Sequence, residues 1–281
     1  VVGIKPIMSR TERTTVNMAD GYSRVTNGHR IGVVVTQSGP GIENAFPGIA
    51  HAYAESTPIL VLPGGTDRSR IGQPPDFAVV RTYESVTKWA AQINQTDRIP
   101  EMMRRAYTFL RSGRPSPVLL EIPVDVGAQD MDGTFIYRSV KGFKSSGDPQ
   151  DVSESVKALL AAKRPVIFAG EGILWAEATD ELLEFAELVN APVMTSNKGK
   201  SAFPENHPLS LGASAVSSTK QSVNFLQDAD LVFGIGTSLT RTGYGKKIPN
   251  PSEKIIIHST NDLNDINKDY QSDYSLVGDA K

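Results

Sequence analysis

The chain contains no cysteine, and that one absence removes several chemistries together. No disulfide forms, no thiolate holds zinc or an iron–sulfur cluster, and no cysteine nucleophile is available. Histidine is scarce: His29, His51, His207 and His258 are scattered, and none stands at metal-ligand spacing from another. Serine is plentiful, yet no serine sits in the glycine-flanked pattern of a nucleophile elbow. Neither sign of charge dominates. Lys and Arg number 29 against 31 Asp and Glu, a net charge of −2, so nothing draws the chain to nucleic acid or an anionic membrane. No apolar run approaches the roughly 20 residues of a membrane-spanning helix, and no secretory pattern precedes the first apolar run. A cytoplasmic home is the expectation.

What remains is ordinary globular material, 281 residues with 39% hydrophobic side chains, enough for two domains with cores of their own. Short aliphatic runs alternate with helix-like segments. "IGVVV" (31–35), "PILVLP" (58–63) and "PVLLEIP" (117–123) are bounded by Gly or Pro and read as strands buried on both faces of a parallel sheet. "GIENAFPGIAHAYAES" and "IPEMMRRAYTFLRSG" read as helices, with a kink or late start expected at Pro47. From 151 onward the alternation restarts with "VSESVKALLAAKR", "PVIFAG", "ATDELLEFAELVN", "PVMTS", "ADLVFGIG" and "KIIIHS". The expectation is an α/β chain of two doubly wound, parallel-sheet domains. Their bounds are 1–127, a Gly-, Ser- and Asp-rich linker over 128–150, and a Rossmann-like unit over 151–281. "VVGIKPI" opens the chain like a strand and "LVGDAK" closes it like the start of a helix, so the chain reads as a piece of something longer.

Two kinds of glycine turn follow strands. "GEGIL" and "GIGTS" put glycines where nucleotide phosphates often sit, but neither completes a dinucleotide fingerprint, and tight strand-to-loop turns need glycine in any case. In "TQSGPGIENA", a β-branched run ends, Ser38 and Gly39 turn the backbone, Pro40 stiffens it and Gly41 leads into a helix. Such a turn offers backbone at close range to a flat ligand. Upstream, Glu12 stands alone at the start of the helix-like "ERTTVNMADGYSRV".

Taken as a set, Glu12, "MADGYSR", "SGPGIENAF", "VTKWA" and "SGRPSPVLLEIPVDV" resemble the pyrimidine-binding domain of thiamine-diphosphate-dependent enzymes of the acetolactate synthase type. Glu12 precedes Met18 by six residues, the spacing of the activating glutamate in that family. "AKRPVIFAGEGI", "GKSAFPENHPLSLGA" and "DYSLVGDAK" resemble the family's central domain. The resemblance implies decarboxylation of a 2-keto acid, followed by carboligation or protonation, with thiamine diphosphate and magnesium in the full-length enzyme and a homodimer or homotetramer as the assembly. It implies that Glu12 shares a proton with the aminopyrimidine, against the alternative of a solvated glutamate. It places Pro40 and Asn44, with Gly39 and Gly41, against the pyrimidine; Asn44 is otherwise an exposed helix residue. Gln37 falls at the family's substrate-facing position, and it either meets the keto acid or only braces the turn.

Three departures bound these implications. The diphosphate-binding domain, with its "GDG" and asparagine that hold magnesium, is missing, so the chain supplies no metal ligand and no turnover by itself is expected. The family's early glycine loop does not precede residue 1. The loop "GQPPDFAVVRTYESVTKW" lacks the Phe-Gln-Glu triplet of acetolactate synthases, and "SLTRTGYGKKIP" replaces the flavin-associated "RFDDR". FAD or an adenine nucleotide in the second domain stays an alternative, as does a non-catalytic nucleotide-binding or dimerisation module of the same fold.

Overall fold

Thr11 opens the first helix: its hydroxyl accepts from the Thr14 amide at 3.3 Å and satisfies one of the donors that a helix start leaves orphaned. A computed structural model of the protein describes residues 3–131 and 137–281. By its internal contacts the chain divides into Val1–Phe143 and Lys144–Lys281. The first unit carries α1 (Glu12–Val25), β1 (Gly32–Thr36), α2 (Pro40–Ala54), β2 (Ile59–Gly65), α3 (Val79–Tyr83), β3 (Trp89–Gln92), α4 (Ile99–Leu110), β4 (Val118–Pro123) and a short α5 (Val124–Gly127). Its strands run parallel in the order β1-β2-β4-β3.

Helices cover both faces of this sheet. Val16, Val34, Ile42, Ile49, Val61 and Leu119 fill one side, and Leu60, Met102, Ala106, Val118 and Leu120 the other. The unbroken aliphatic run of β1 nevertheless alternates. Val34 is buried, whereas Val33 is 47% and Val35 70% exposed. β1 is the edge strand, so one of its faces stays open despite a composition suited to burial on both. α2 begins at Pro40 and runs unbroken past Pro47, so the late start expected there does not occur. Residues 3–10 contribute no strand; Pro6 offers no amide to a ladder.

The second unit carries α6 (Pro149–Ala161), β5 (Pro165–Ala169), α7 (Gly172–Ala176), α8 (Thr179–Val189), β6 (Val193–Ser196), β7 (Ser210–Ser214), α9 (Lys220–Asp228), β8 (Leu231–Ile235), β9 (Ile255–Thr260) and β10 (Tyr274–Val277). All six strands are parallel, in the order β10-β9-β8-β5-β6-β7. Side chains of β5 alternate between two cores: Ile167 and Ala169 meet Leu159, Leu182 and Ala186, while Val166 and Phe168 meet Leu226, Ile248 and Tyr270. This is a doubly wound sheet. The closing segment "LVGDAK", expected to start a helix, instead gives Leu276 and Val277 to β10, where Tyr274 stands opposite Ile257, and residues 278–281 form no helix. Of the expected 128–150 linker, residues 132–136 lie outside the described residues. Its last two residues belong to α6, whose amides are capped by the Asp148 carboxylate.

Candidate functional site

At the carboxyl end of β1 the chain leaves the sheet through Gln37, Ser38 and Gly39 and enters α2 at Pro40. Gly39 sits at φ 60°, ψ −116°, a conformation that a side chain opposes. The turn is tied back by Ile42 N–H to Gln37 C=O and by Glu43 N–H to Gly39 C=O, each 3.0 Å. Beneath it lies Gly64 of β2, where a Cβ would stand 3.3 Å from the Ser38 nitrogen. No side chain caps the start of α2. Gly41 is buried; Gln37, Pro40 and Asn44 are exposed, and Ser38 and Gly39 half-buried. The result is an open shelf floored by backbone.

Contacts along α1 show where Glu12 stands relative to that shelf. Gly32, at the start of β1, lies so close to α1 that a Cβ would come within 2.2 Å of the Ala19 carbonyl. The Ser23 hydroxyl accepts from Gly32 N–H at 2.9 Å and donates to Pro58 C=O at 2.6 Å, binding the end of α1 to the starts of β1 and β2. α1 therefore runs antiparallel to β1, with Glu12 towards the strand's carboxyl end. From Ala19 back to Glu12 is about 10 Å of helix, and from Gly32 to Thr36 about 13 Å of strand. On the neighbouring helix, Gly48 meets Val16, whose Cβ would lie 2.8 Å from a Cβ at 48. Stepping four residues back along both helices brings Glu12 about level with Asn44. Glu12 is half-buried, and no hydrogen bond or ion pair engages its carboxylate among the described residues.

Two features escaped the sequence reading. The fully buried Tyr83 of α3 donates its hydroxyl to the Ile42 carbonyl at 2.5 Å and packs its ring against Phe46 at 5.3 Å. It thereby braces the first turn of α2, and burial pushes its phenol well above the ordinary range. Glu121 of β4 is also buried, although charged residues rarely are. The sole advance signal was a glutamate inside the apolar run "PVLLEIP".

In the second unit, the glycine turns pack on one another. Gly172 N–H donates to Gly236 C=O at 2.8 Å, and a Cβ at Gly170 would fall 2.2 Å from that carbonyl. A Cβ at Gly199 would meet Gly170 at 2.7 Å. Close approach of three strand ends accounts for these glycines without a ligand.

Comparison with known proteins decides the family. Residues 1–95 match the N-terminal TPP binding domain of thiamine pyrophosphate enzymes, and residues 152–281 match their central domain. The chain belongs to the thiamine pyrophosphate enzyme family. It is 33% identical over 291 residues to the acetolactate synthase large subunit of Buchnera aphidicola subsp. Schizaphis graminum, covering all of this chain and 50% of that protein. It is 32% identical over 291 residues to the acetolactate synthase isozyme 3 large subunit of Escherichia coli K12, again covering all of this chain and 50% of that protein. Among solved structures, benzoylformate decarboxylase from Polynucleobacter necessarius superposes with a TM-score of 0.85 at 26% identity, covering all of this chain and 53% of that one. This thiamine pyrophosphate enzyme chain thus spans about half the length of the curated relatives it matches, and its two parallel α/β units are those of the family.

Proposed function

We propose that the chain is the pyrimidine-binding and central part of an acetolactate synthase-like decarboxylase or carboligase that acts on a 2-keto acid. The observation that carries this reading is Glu12: a half-buried carboxylate without a partner among the described residues, about level with Asn44 beside the uncapped start of α2. An acid so placed is open to a nitrogen partner, and a shelf of exposed backbone suits a flat heterocycle, so the residues fit an aminopyrimidine. Thiamine diphosphate, when bound, supplies the electron sink for loss of carbon dioxide. The chain's own residues supply position and proton control. Glu12 holds a proton between its carboxylate and a ring nitrogen of the pyrimidine. Pro40 offers a rigid apolar surface, Asn44 a hydrogen-bonding amide, and Gly39 and Gly41 the room for close approach. Gln37 extends from the turn towards substrate and presents its amide to the keto acid.

The residues assigned here reach the pyrimidine; in the family a further domain holds the diphosphate and magnesium. Turnover therefore requires that domain, and copies of the chain pair as a homodimer or homotetramer. The exposed stripe of Met18, Tyr22 and Val25 on α1 supplies apolar surface for such pairing. The packing already found for Gly170, Gly172, Gly199 and Gly236 leads us to assign no flavin or adenine nucleotide to the second unit. Among the described residues no helix is long and apolar enough to cross a membrane; we assign the protein to the cytoplasm.

Calorimetric titration of the chain with thiamine diphosphate tests the reading. Native protein binds, and Glu12→Gln weakens binding at least tenfold. In an enzyme completed by a diphosphate-binding domain, the same substitution lowers kcat by about 10²–10⁴, the range of a lost positioned proton donor or acceptor. Equal binding and equal kcat for the two proteins would overturn the assignment.

A further inference from the structure

Beneath the turn lies a hydroxyl that nothing in the free chain uses. Thr36 closes β1 and is 8% exposed, and its Oγ1 is buried with no hydrogen-bond partner among the described residues. Thr57 of the first unit shares that condition, but it stands just before β2, at the opposite end of the sheet. A buried hydroxyl without a partner costs folding free energy. Valine has the same branched shape and no polar atom, and Val33, Val34 and Val35 show that the strand accepts it. The hydroxyl at 36 is therefore a cost that the free fold does not recover.

Its placement narrows the acceptor it can serve. Side chains alternate along β1, so Thr36 turns to the same face as Val34, which packs with Val16 of α1 and Ile42 of α2. A Cβ at Gly41 would lie 3.7 Å from the Thr36 Cβ, so this side chain sits under the first turn of α2. On that face α1 runs antiparallel to β1 from the contact of Ala19 with Gly32. About 10 Å of helix leads from Ala19 to Glu12, and about 13 Å of strand from Gly32 to Thr36, which puts the two within about one residue of level. Thr36 carries an unused donor and Glu12 an unused acceptor, since no hydrogen bond or ion pair engages the Glu12 carboxylate among the described residues.

We infer that Thr36 is a positioning residue for Glu12: its hydroxyl donates to one carboxylate oxygen while the other faces the ring nitrogen of a bound aminopyrimidine. The inference rests on the pyrimidine reading of Glu12 and adds what aims the acid. A glutamate at a helix start has three side-chain torsions to settle, and one fixed donor on the strand beneath selects among them. A hydrogen bond to an ionised carboxylate is stronger than one between neutral groups, so a bond absent from the free chain strengthens binding when it forms.

Thr36→Val removes the hydroxyl and keeps the shape, and two measurements read its effect. In a denaturant titration without ligand the variant is expected to be at least as stable as the native chain, because no bond is lost. In calorimetric titration with thiamine diphosphate it is expected to bind about tenfold more weakly, or worse. Thr36→Ser, which keeps the hydroxyl, is expected to bind within about twofold of native. Adding Thr36→Val to Glu12→Gln is expected to weaken binding by less than about twofold beyond Glu12→Gln alone, since the two residues act as a unit. Loss of stability in Thr36→Val, native-like binding by it, equal weakening by Thr36→Ser, or full additivity in the double variant would each overturn the inference, and Glu12→Gln still reports separately on the pyrimidine reading. If Glu12→Gln itself binds like the native chain, that reading fails and this inference fails with it.

Discussion

Replacing Tyr83 by Phe removes a single hydroxyl and leaves the ring on Phe46, so it isolates the hydrogen bond to the Ile42 carbonyl. A buried bond of this kind contributes about 0.5–1.5 kcal/mol, and a denaturant titration of Tyr83→Phe is expected to show a loss of that size. Gly32→Ala tests a steric limit instead. The added methyl would meet the Ala19 carbonyl at 2.2 Å, so α1 must shift, at a cost of about 1–3 kcal/mol, read from the same titration. Sequence alone showed the turn residues Gln37 to Gly41 because their glycines and proline bend the backbone locally. Tyr83 and Glu121 stayed hidden because their roles depend on partners 41 residues away in one case and on a neighbouring strand in the other. No local pattern carries that information.

Elements were legible where one physical rule governed them and not where two competed. β2, β4, β5 and β8 announced themselves as aliphatic runs closed by Gly or Pro, and β9 by its three consecutive isoleucines. β3, "WAAQ", and β7, "SLGAS", did not, since short strands with small or half-buried residues have no apolar run to read. The end of α4 shows tertiary support of an element whose own capping is weak. Lys88, just before β3, sends its ammonium to the carbonyls of Phe109 and Arg114 at 2.9 Å and also to that of Ser112. The Phe109 carbonyl is one that a helix end leaves unpaired, and those of Ser112 and Arg114 belong to the turn that follows α4; a cation there also complements the helix dipole. Lys88→Met keeps the stem and removes the donors. Loss of a hydrogen-bonded charge beside buried carbonyls is expected to cost about 1–3 kcal/mol, with hydrogen exchange rising first at the carboxyl end of α4.

For the whole molecule, one buried titratable group in each unit ties stability to pH, and the two act in opposite senses. In the first, Glu121 has a folded pKa above its ordinary 4.5, so its contribution is complete below 4.5 and is lost as pH rises through the folded value. In the second, His258 is buried with a folded pKa below 6.5, chiefly through burial, and Nε2 lies 2.9 Å from the Thr237 carbonyl. Its contribution is present above 6.5 and is lost as pH falls through the folded value. Each unit holds one tryptophan, Trp89 or Trp175, so Trp175→Phe and Trp89→Phe proteins report the two separately. Fluorescence-monitored denaturation is expected to show the first unit weakening as pH rises above 4.5 and the second weakening as it falls below 6.5. Glu121→Gln should flatten the first trend.

The central claim is that Glu12 shares a proton with a bound aminopyrimidine, and the most direct measurement is the nitrogen NMR spectrum of ¹⁵N-labelled thiamine diphosphate on the protein. The account predicts that the ring-nitrogen resonance moves in the direction of protonation on the native chain and stays at its free position on Glu12→Gln under saturating ligand. A resonance that shifts identically on both proteins, or on neither, would contradict it.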